Sequence, residues 1–206
     1  MAHGGARHVS TDRTRFGPRR GLRWFLAGYA GVSGFLGLEA FVRQPGSASD
    51  LHASKDDAAS TQGIVVAYTL VLLSAPLLRR LPVRPLPALG APLGLAILLL
   101  GLVLRAWSMQ TLSEAYTRTL RVTNEQSVTD RGPYRYVRHP GYLGSLLIWC
   151  GFALASGSAV IVGTVAALLL PAYLHRIEAE EGLLERDLPG YVDYQEHTKR
   201  LVPHVW

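Results

Sequence analysis

Apolar runs and polar breaks alternate along this chain in a pattern that predicts helices lying in lipid. Five apolar segments stand out: Leu22–Val42, Gly63–Leu78, Ala88–Trp107, Tyr142–Ala155 and Ser158–Leu174. A helix crosses the hydrocarbon core with about 20 residues, in a range of about 17 to 25. The first and third runs meet that length outright, the fifth just does, and the second and fourth must borrow flanking residues. The breaks differ in kind. Residues 1–20 are rich in Gly, Arg, Ser and Thr and read as a disordered basic arm, while Gln44–Gln62 reads as a solvated loop. Arg79–Pro87, in the register LPVRPLP, cannot continue a helix and reads as a stiff connector. Ser108–Pro140 is the long polar insert, in which Arg118, Leu120 and Val122 alternate as in an extended strand able to present backbone amides.

The turn Ser156-Gly157-Ser158 folds the last two apolar runs into an antiparallel hairpin, which brings the polar residues before Tyr142 and after Leu174 to one membrane face. Ala172–Arg186 continues the fifth run as helix. Pro189-Gly190 stops it, and a shorter amphipathic helix follows to Arg200. The expected fold is an all-α integral membrane protein with about five spans. Its regions are the arm 1–20, amino-terminal membrane helices 21–107 and a functional region 108–206.

Composition supports this reading. Charged residues make up 17% of the chain, against roughly 25% in soluble domains, and mean hydropathy is +0.17. The arginine-rich start before an apolar run resembles a signal peptide, but the run is too long and lacks a small-residue cleavage site, so a retained helix is expected. Net charge of +6, from 19 Arg and 2 Lys against 15 acids, fits topogenic and headgroup-facing charge on so apolar a chain, not nucleic-acid binding. If the clustered polar face is cytosolic, five spans put the basic amino terminus on the other side, against the positive-inside tendency; four spans would not. The single Cys150 excludes an internal disulfide or a multi-cysteine metal site, and no HExxH pair is present, so no metal is expected.

The densest chemistry lies in Arg131–Gly144, RGPYRYVRHPGYLG. Pro140 suits the first turn of a helix, where its missing N–H costs nothing, and Gly141 and Gly144 let a ligand approach the backbone. Helix amino termini attract carboxylates and other anions. About forty residues on, Arg176 and Glu180 share a helix face at i and i+4, with Glu181 one step round. Such charges just beyond an apolar helix are costly unless they face a polar cavity. Tyr191 and Tyr194 form an i, i+3 stripe that His197 extends. Elsewhere Glu39 is expected to pair with Arg43 at i+4, and Gly90-xxx-Gly94 to permit close helix packing.

The order RHPGYLG, then Glu180-Glu181, Leu184, Gly190-Tyr191, Tyr194, Arg200 and Pro203 resembles the isoprenylcysteine carboxyl methyltransferase and phospholipid methyltransferase group of integral membrane enzymes, over about residues 118–206. The resemblance implies S-adenosylmethionine as cofactor on the cytosolic face. It implies that Gln126, Ser127, Val128, Thr129 and Tyr134 line it, that His139, Pro140, Gly141 and Tyr142 contact its polar groups, and that Glu180, Glu181, Tyr191 and Tyr194 complete its site. Arg176 and Glu180 would be catalytic, with Arg176 and Arg200 facing the acceptor. This chain differs from the eukaryotic members at Gln126 and Asp130 and lacks their extra amino-terminal spans.

The residue types suit methyl transfer, an in-line displacement that needs alignment and a desolvated nucleophile. A carboxylate with a pKa of about 3.5 needs no general base, and Arg176 could orient it. An amine would arrive protonated and need Glu180 or Glu181 as base. The implied partner is a lipophilic small molecule or prenylated substrate drawn from membrane lipid. An isoprenylcysteine carboxylate comes first, a phospholipid amine or a thiol next. Membrane sterol reductases share a similar RHPxYxG element that contacts NADPH, but there an acid typically follows the glycine, where this chain has Ser145. A non-enzymatic membrane scaffold would use the same helices for packing alone.

Overall fold

The computed structural model describes residues 18–41, 59–83, 85–112 and 127–202. Most of the basic arm, most of the loop before Gln62, Arg118–Val122, Gln126 and Pro203 lie outside these residues. Among the described residues there are six α-helices and no strand: α1 Pro18–Phe41, α2 Ser60–Leu78, α3 Gly90–Leu112, α4 Pro140–Ala155, α5 Ala159–Asp187 and α6 Tyr191–His197, with a 3-10 turn Gly132–Arg135 before α4. The all-helical expectation holds.

By length and composition, α2, α3 and α5 are long and apolar enough to cross a membrane, while α4 is apolar but only 16 residues long. The first apolar run, expected to span outright, does not join them. Although α1 has 24 residues, five of them are glycine, and Arg23 and Glu39 sit near its two ends. The broad outer faces of the long helices, with Leu73, Leu77, Leu99 and Val103 all more than half exposed, are the surface a lipid phase would cover. With 29 residues α5 is about 44 Å long, beyond the roughly 30 Å of a hydrocarbon core. Its polar last turns therefore project past the apolar layer.

Contacts between side chains order the helix ends. Glu39 of α1 meets Arg105 of α3, Arg176 of α5 meets Ser60 of α2, and Tyr142 of α4 meets Glu180 of α5, so these ends gather at one pole. At the other pole Arg79 lies over the Phe25 ring at 5.1 Å, and the Leu86 amide donates to Gly157 in the α4–α5 turn, where Gly157 has φ 71°. The chain thus runs up and down between two poles. The core between them is Phe25, Val32, Phe35, Val71, Leu98, Ile148, Trp149, Phe152, Ile161, Val165 and Leu169.

The most extensive helix contact is between α3 and α4. Glycines seven residues apart on each helix make it possible. A Cβ on Gly101 would stand 2.6 Å from the Gly144 carbonyl oxygen, and one on Gly151 would stand 2.5 Å from that of Gly94. Backbones approach this closely only where side chains are absent. Gly94 belongs to this interface, but a Cβ on Gly90 would meet only Leu86 at 3.6 Å, so the expected Gly90-xxx-Gly94 pair is replaced by Gly94 and Gly101. Within α2, Pro76 has no N–H for the Leu72 carbonyl one turn earlier. The Tyr29 hydroxyl of α1 donates to that oxygen at 2.7 Å and satisfies it across the bundle.

Candidate functional site

At the first pole, α4 begins at Pro140 with His139 as its cap residue, as the His-Pro pair predicts. Facing it is the polar end of α5. Arg176 is 4% exposed, and a guanidinium so placed needs partners for its donors. Its Nη1 donates to Ser60 Oγ at 3.0 Å and Thr61 Oγ1 at 2.8 Å on α2, and its Nε donates to the Tyr142 hydroxyl at 2.9 Å. Tyr142 in turn donates to Glu180 Oε2. Hydrogen bonds that fan out from Arg176 therefore link three helices, with the Tyr142 hydroxyl bridging the two residues whose i, i+4 spacing marked them.

Glu181 turns the other way. Its Oε1 accepts from Arg138 Nε at 2.9 Å and lies 3.1 Å from His139 Nε2, while its Oε2 lies 2.7 Å from Arg200 Nε. The same tail is stitched to the start of α4 by backbone: the amides of Arg138 and His139 donate to the carbonyls of Lys199 and Arg200 at 2.7 and 3.0 Å. Arg138 Nη1 also donates to the carbonyls of Gln195 and Thr198. Together these bonds clamp residues 195–200, and α6 with them, against the His-Pro corner.

Between the two polar groups lies a cavity that runs from α6 to the amino-terminal helices. Of the residues singled out from the sequence, Ser127, Val128, Thr129, Tyr134, His139, Gly141, Tyr142, Arg176, Glu180, Tyr191 and Tyr194 line it. Gln126 lies outside the described residues. Pro140, Glu181 and Arg200 are not among the lining residues. Glu181 and Arg200 instead form an ion pair, and Glu181 is held by three basic side chains in all.

Tyr194 donates to the Tyr134 carbonyl at 2.5 Å, which closes the cavity between α6 and the 3-10 turn. Burial pushes its hydroxyl up to about 12. The Tyr191 hydroxyl is raised further, by burial first and then by the charges of Glu181 and Glu180. Both are therefore protonated donors at neutral pH. Tyr191 is 4% exposed, and its buried hydroxyl has no hydrogen-bond partner among the described residues. A hydroxyl in that position costs about 1–3 kcal/mol unless something binds it.

Sequence reasoning missed the far half of the cavity. Glu39, expected to pair with Arg43 at the interface, is 8% exposed; Arg105 bonds to its Oε1 through Nε at 2.7 Å and Nη2 at 2.5 Å. Arg43 lies outside the described residues. Glu39 and Arg105 line the cavity with Phe35, Ile64, Val65, Tyr68 and Tyr173, and the hydroxyls of Tyr68 and Tyr173 bond to each other. The available signal was Arg105 itself, one arginine inside an otherwise apolar run.

Residues 90–188 match the profile of the phospholipid methyltransferase family. Protein-S-isoprenylcysteine O-methyltransferases B and A of Arabidopsis thaliana are each 26% identical to this chain over 115 residues, or 54% of this chain and 58% of the relative. The match thus spans less than two thirds of either relative.

Proposed function

We propose, from the match of residues 90–188 to the phospholipid methyltransferase family, that this membrane protein transfers a methyl group from S-adenosylmethionine to a lipophilic acceptor. The carboxylate of an isoprenylcysteine-like molecule is the first choice, with a phospholipid amine or a thiol as alternatives. The observation that carries this reading is one cavity with a polar end beside α6 and a far arm walled mainly by aromatic and aliphatic side chains, joined at Arg176, Tyr142 and Glu180. We place that junction at the cytosolic face of a multi-pass chain, in keeping with the arginines Arg131, Arg135, Arg138 and Arg200 that flank it.

The polar end fits the cofactor. The buried Tyr191 hydroxyl without a partner among the described residues, the Ser127–Thr129 strip and the Glu180 carboxylate line one space that suits a molecule with ribose hydroxyls and an ammonium group. When bound, S-adenosylmethionine supplies an electrophilic methyl on a sulfonium. Arg176, held by Ser60, Thr61 and Tyr142, has its guanidinium fixed in place to receive a carboxylate. An ionised carboxylate needs no proton removed, so alignment and exclusion of water are the protein's task. Leu183, Leu184 and Leu188 line the wall beside Tyr191 and help keep water out. For an amine acceptor, Glu180 is the base within the cavity, since three basic side chains already hold Glu181.

The reading is tested by titrating the purified protein with S-adenosylhomocysteine and with NADPH. Binding of the first alone supports it, and binding of NADPH alone points to the reductase chemistry. Tyr191→Phe separates ligand from scaffold. It should weaken S-adenosylhomocysteine binding about tenfold while thermal stability stays level or rises, because an unsatisfied buried hydroxyl has been removed. Unchanged affinity would remove Tyr191 from the cofactor site.

A further inference from the structure

The far arm of the cavity is not the plain hydrocarbon channel that a lipid tail would need. Its walls from α1 and α2 are Phe35, Leu36, Ile64 and Val65, but set among them are the Arg105–Glu39 ion pair and the bonded hydroxyls of Tyr68 and Tyr173. A buried ion pair is weak evidence for stability, because apolar residues of similar size often serve at least as well. Ionisable groups within membrane helices point to function when they face a cavity. This pair does both: each partner is 8% exposed, and each lines the cavity wall.

We infer that the arm recognises a neutral hydrogen-bonding group, a hydroxyl or a carbonyl, carried on the acceptor's apolar portion away from the atom that receives the methyl. The inference rests on reading this cavity as the acceptor site. Neutrality follows from charge balance. Glu39 compensates Arg105, with the guanidinium bonded to Oε1 through both Nε and Nη2, so an added ion would meet no net opposite charge. The two tyrosine hydroxyls extend the same polar strip with a donor and acceptor pair. These groups already bond to one another, so an unadorned alkyl tail passing over them gains no hydrogen bond, whereas a hydroxyl or carbonyl adds one.

The position in the chain supports specificity over shared chemistry. Phe35, Glu39, Thr61, Ile64, Val65 and Tyr68 all precede residue 90, where the family match begins. The walls that α1 and α2 give the arm, with Glu39 and Tyr68, therefore lie outside that match, while their partners Arg105 and Tyr173 fall within it, as do Arg176 and Glu180.

The test compares S-farnesyl-N-acetylcysteine with the same molecule bearing a terminal hydroxyl on the farnesyl chain. Both are offered to the full-length protein in nanodiscs, with binding read by calorimetry and transfer by radiolabelled S-adenosylmethionine. The wild type should prefer the hydroxylated analogue about tenfold in kcat/KM and in Kd, the scale of one buried hydrogen bond. The double variant Glu39→Leu, Arg105→Met should bring the ratio close to one, as should the milder Tyr68→Phe in part, which guards against misfolding of the double variant. Equal use of both analogues by the wild type, or a preference that neither variant changes, overturns the inference and leaves the methyltransferase reading intact. Absence of label on both analogues overturns the prenylcysteine carboxylate as acceptor, yet a binding preference that disappears in the variants would still uphold the arm.

Discussion

Arg176→Ala should lower kcat/KM for the lipophilic acceptor by about 10²–10³, the loss typical of removing one preorganised charged donor from an active site. Affinity for S-adenosylhomocysteine should change by no more than about twofold. Arg176 stands where α2, α4 and α5 meet, fixed by Ser60, Thr61 and Tyr142 before any ligand arrives. Arg176→Lys should recover only part of the loss, because an ammonium keeps the charge but not the planar fork. Glu180→Gln is the contrasting change and should act mainly on cofactor affinity. Steady-state kinetics beside calorimetry separates the two, and equal losses of acceptor turnover and cofactor affinity in Arg176→Ala would make Arg176 a structural residue.

The second large effect is expected at a residue outside the cavity. Glu181→Gln leaves Arg138, His139 and Arg200 without their shared carboxylate, and breaking a buried ion pair by removing one partner costs about 3–5 kcal/mol. The lower end applies, since Arg200 is one third exposed and partly solvated. The clamp on residues 195–200 should loosen first, so amides of Arg138 and His139 should exchange faster with solvent. Cofactor affinity should fall as well, because Tyr191 and Tyr194 are carried on the segment the clamp holds. Hydrogen exchange and denaturation that match the wild type would show that Glu181 clamps nothing.

Local patterns made much of this legible. Pro140 at a helix start, the Ser156–Ser158 turn, the continuation of α5 to Asp187 and the stop at Gly190, with φ 82°, follow from turn and capping chemistry within a few residues. The meeting of the His-Pro corner with the Glu180-Glu181 stem follows from the hairpin. Relations between distant helices were not legible. Glu39 has Arg43 one turn away in sequence but pairs with Arg105, 66 positions on, because the fold brings the ends of α1 and α3 together. The i, i+4 spacing set Glu180 beside Arg176, but both glutamates were expected in the cofactor site; a 100° step around the helix sends Glu180 into the cavity and Glu181 into the clamp. The seven-residue glycine spacings in α3 and α4 were visible, but a period shared by two helices becomes an interface only once they lie side by side.

The proposed function requires one cavity to hold a methyl donor and a lipophilic acceptor together. Incubating the purified protein with methyl-labelled S-adenosylmethionine and an acceptor panel of prenylcysteine, phosphatidylethanolamine and thiol tests it most directly. Label should appear on the prenylcysteine, be released as methanol by mild alkali as a methyl ester must be, and be lost in Arg176→Ala. No label on any lipophilic acceptor, with the cofactor demonstrably bound, would contradict it.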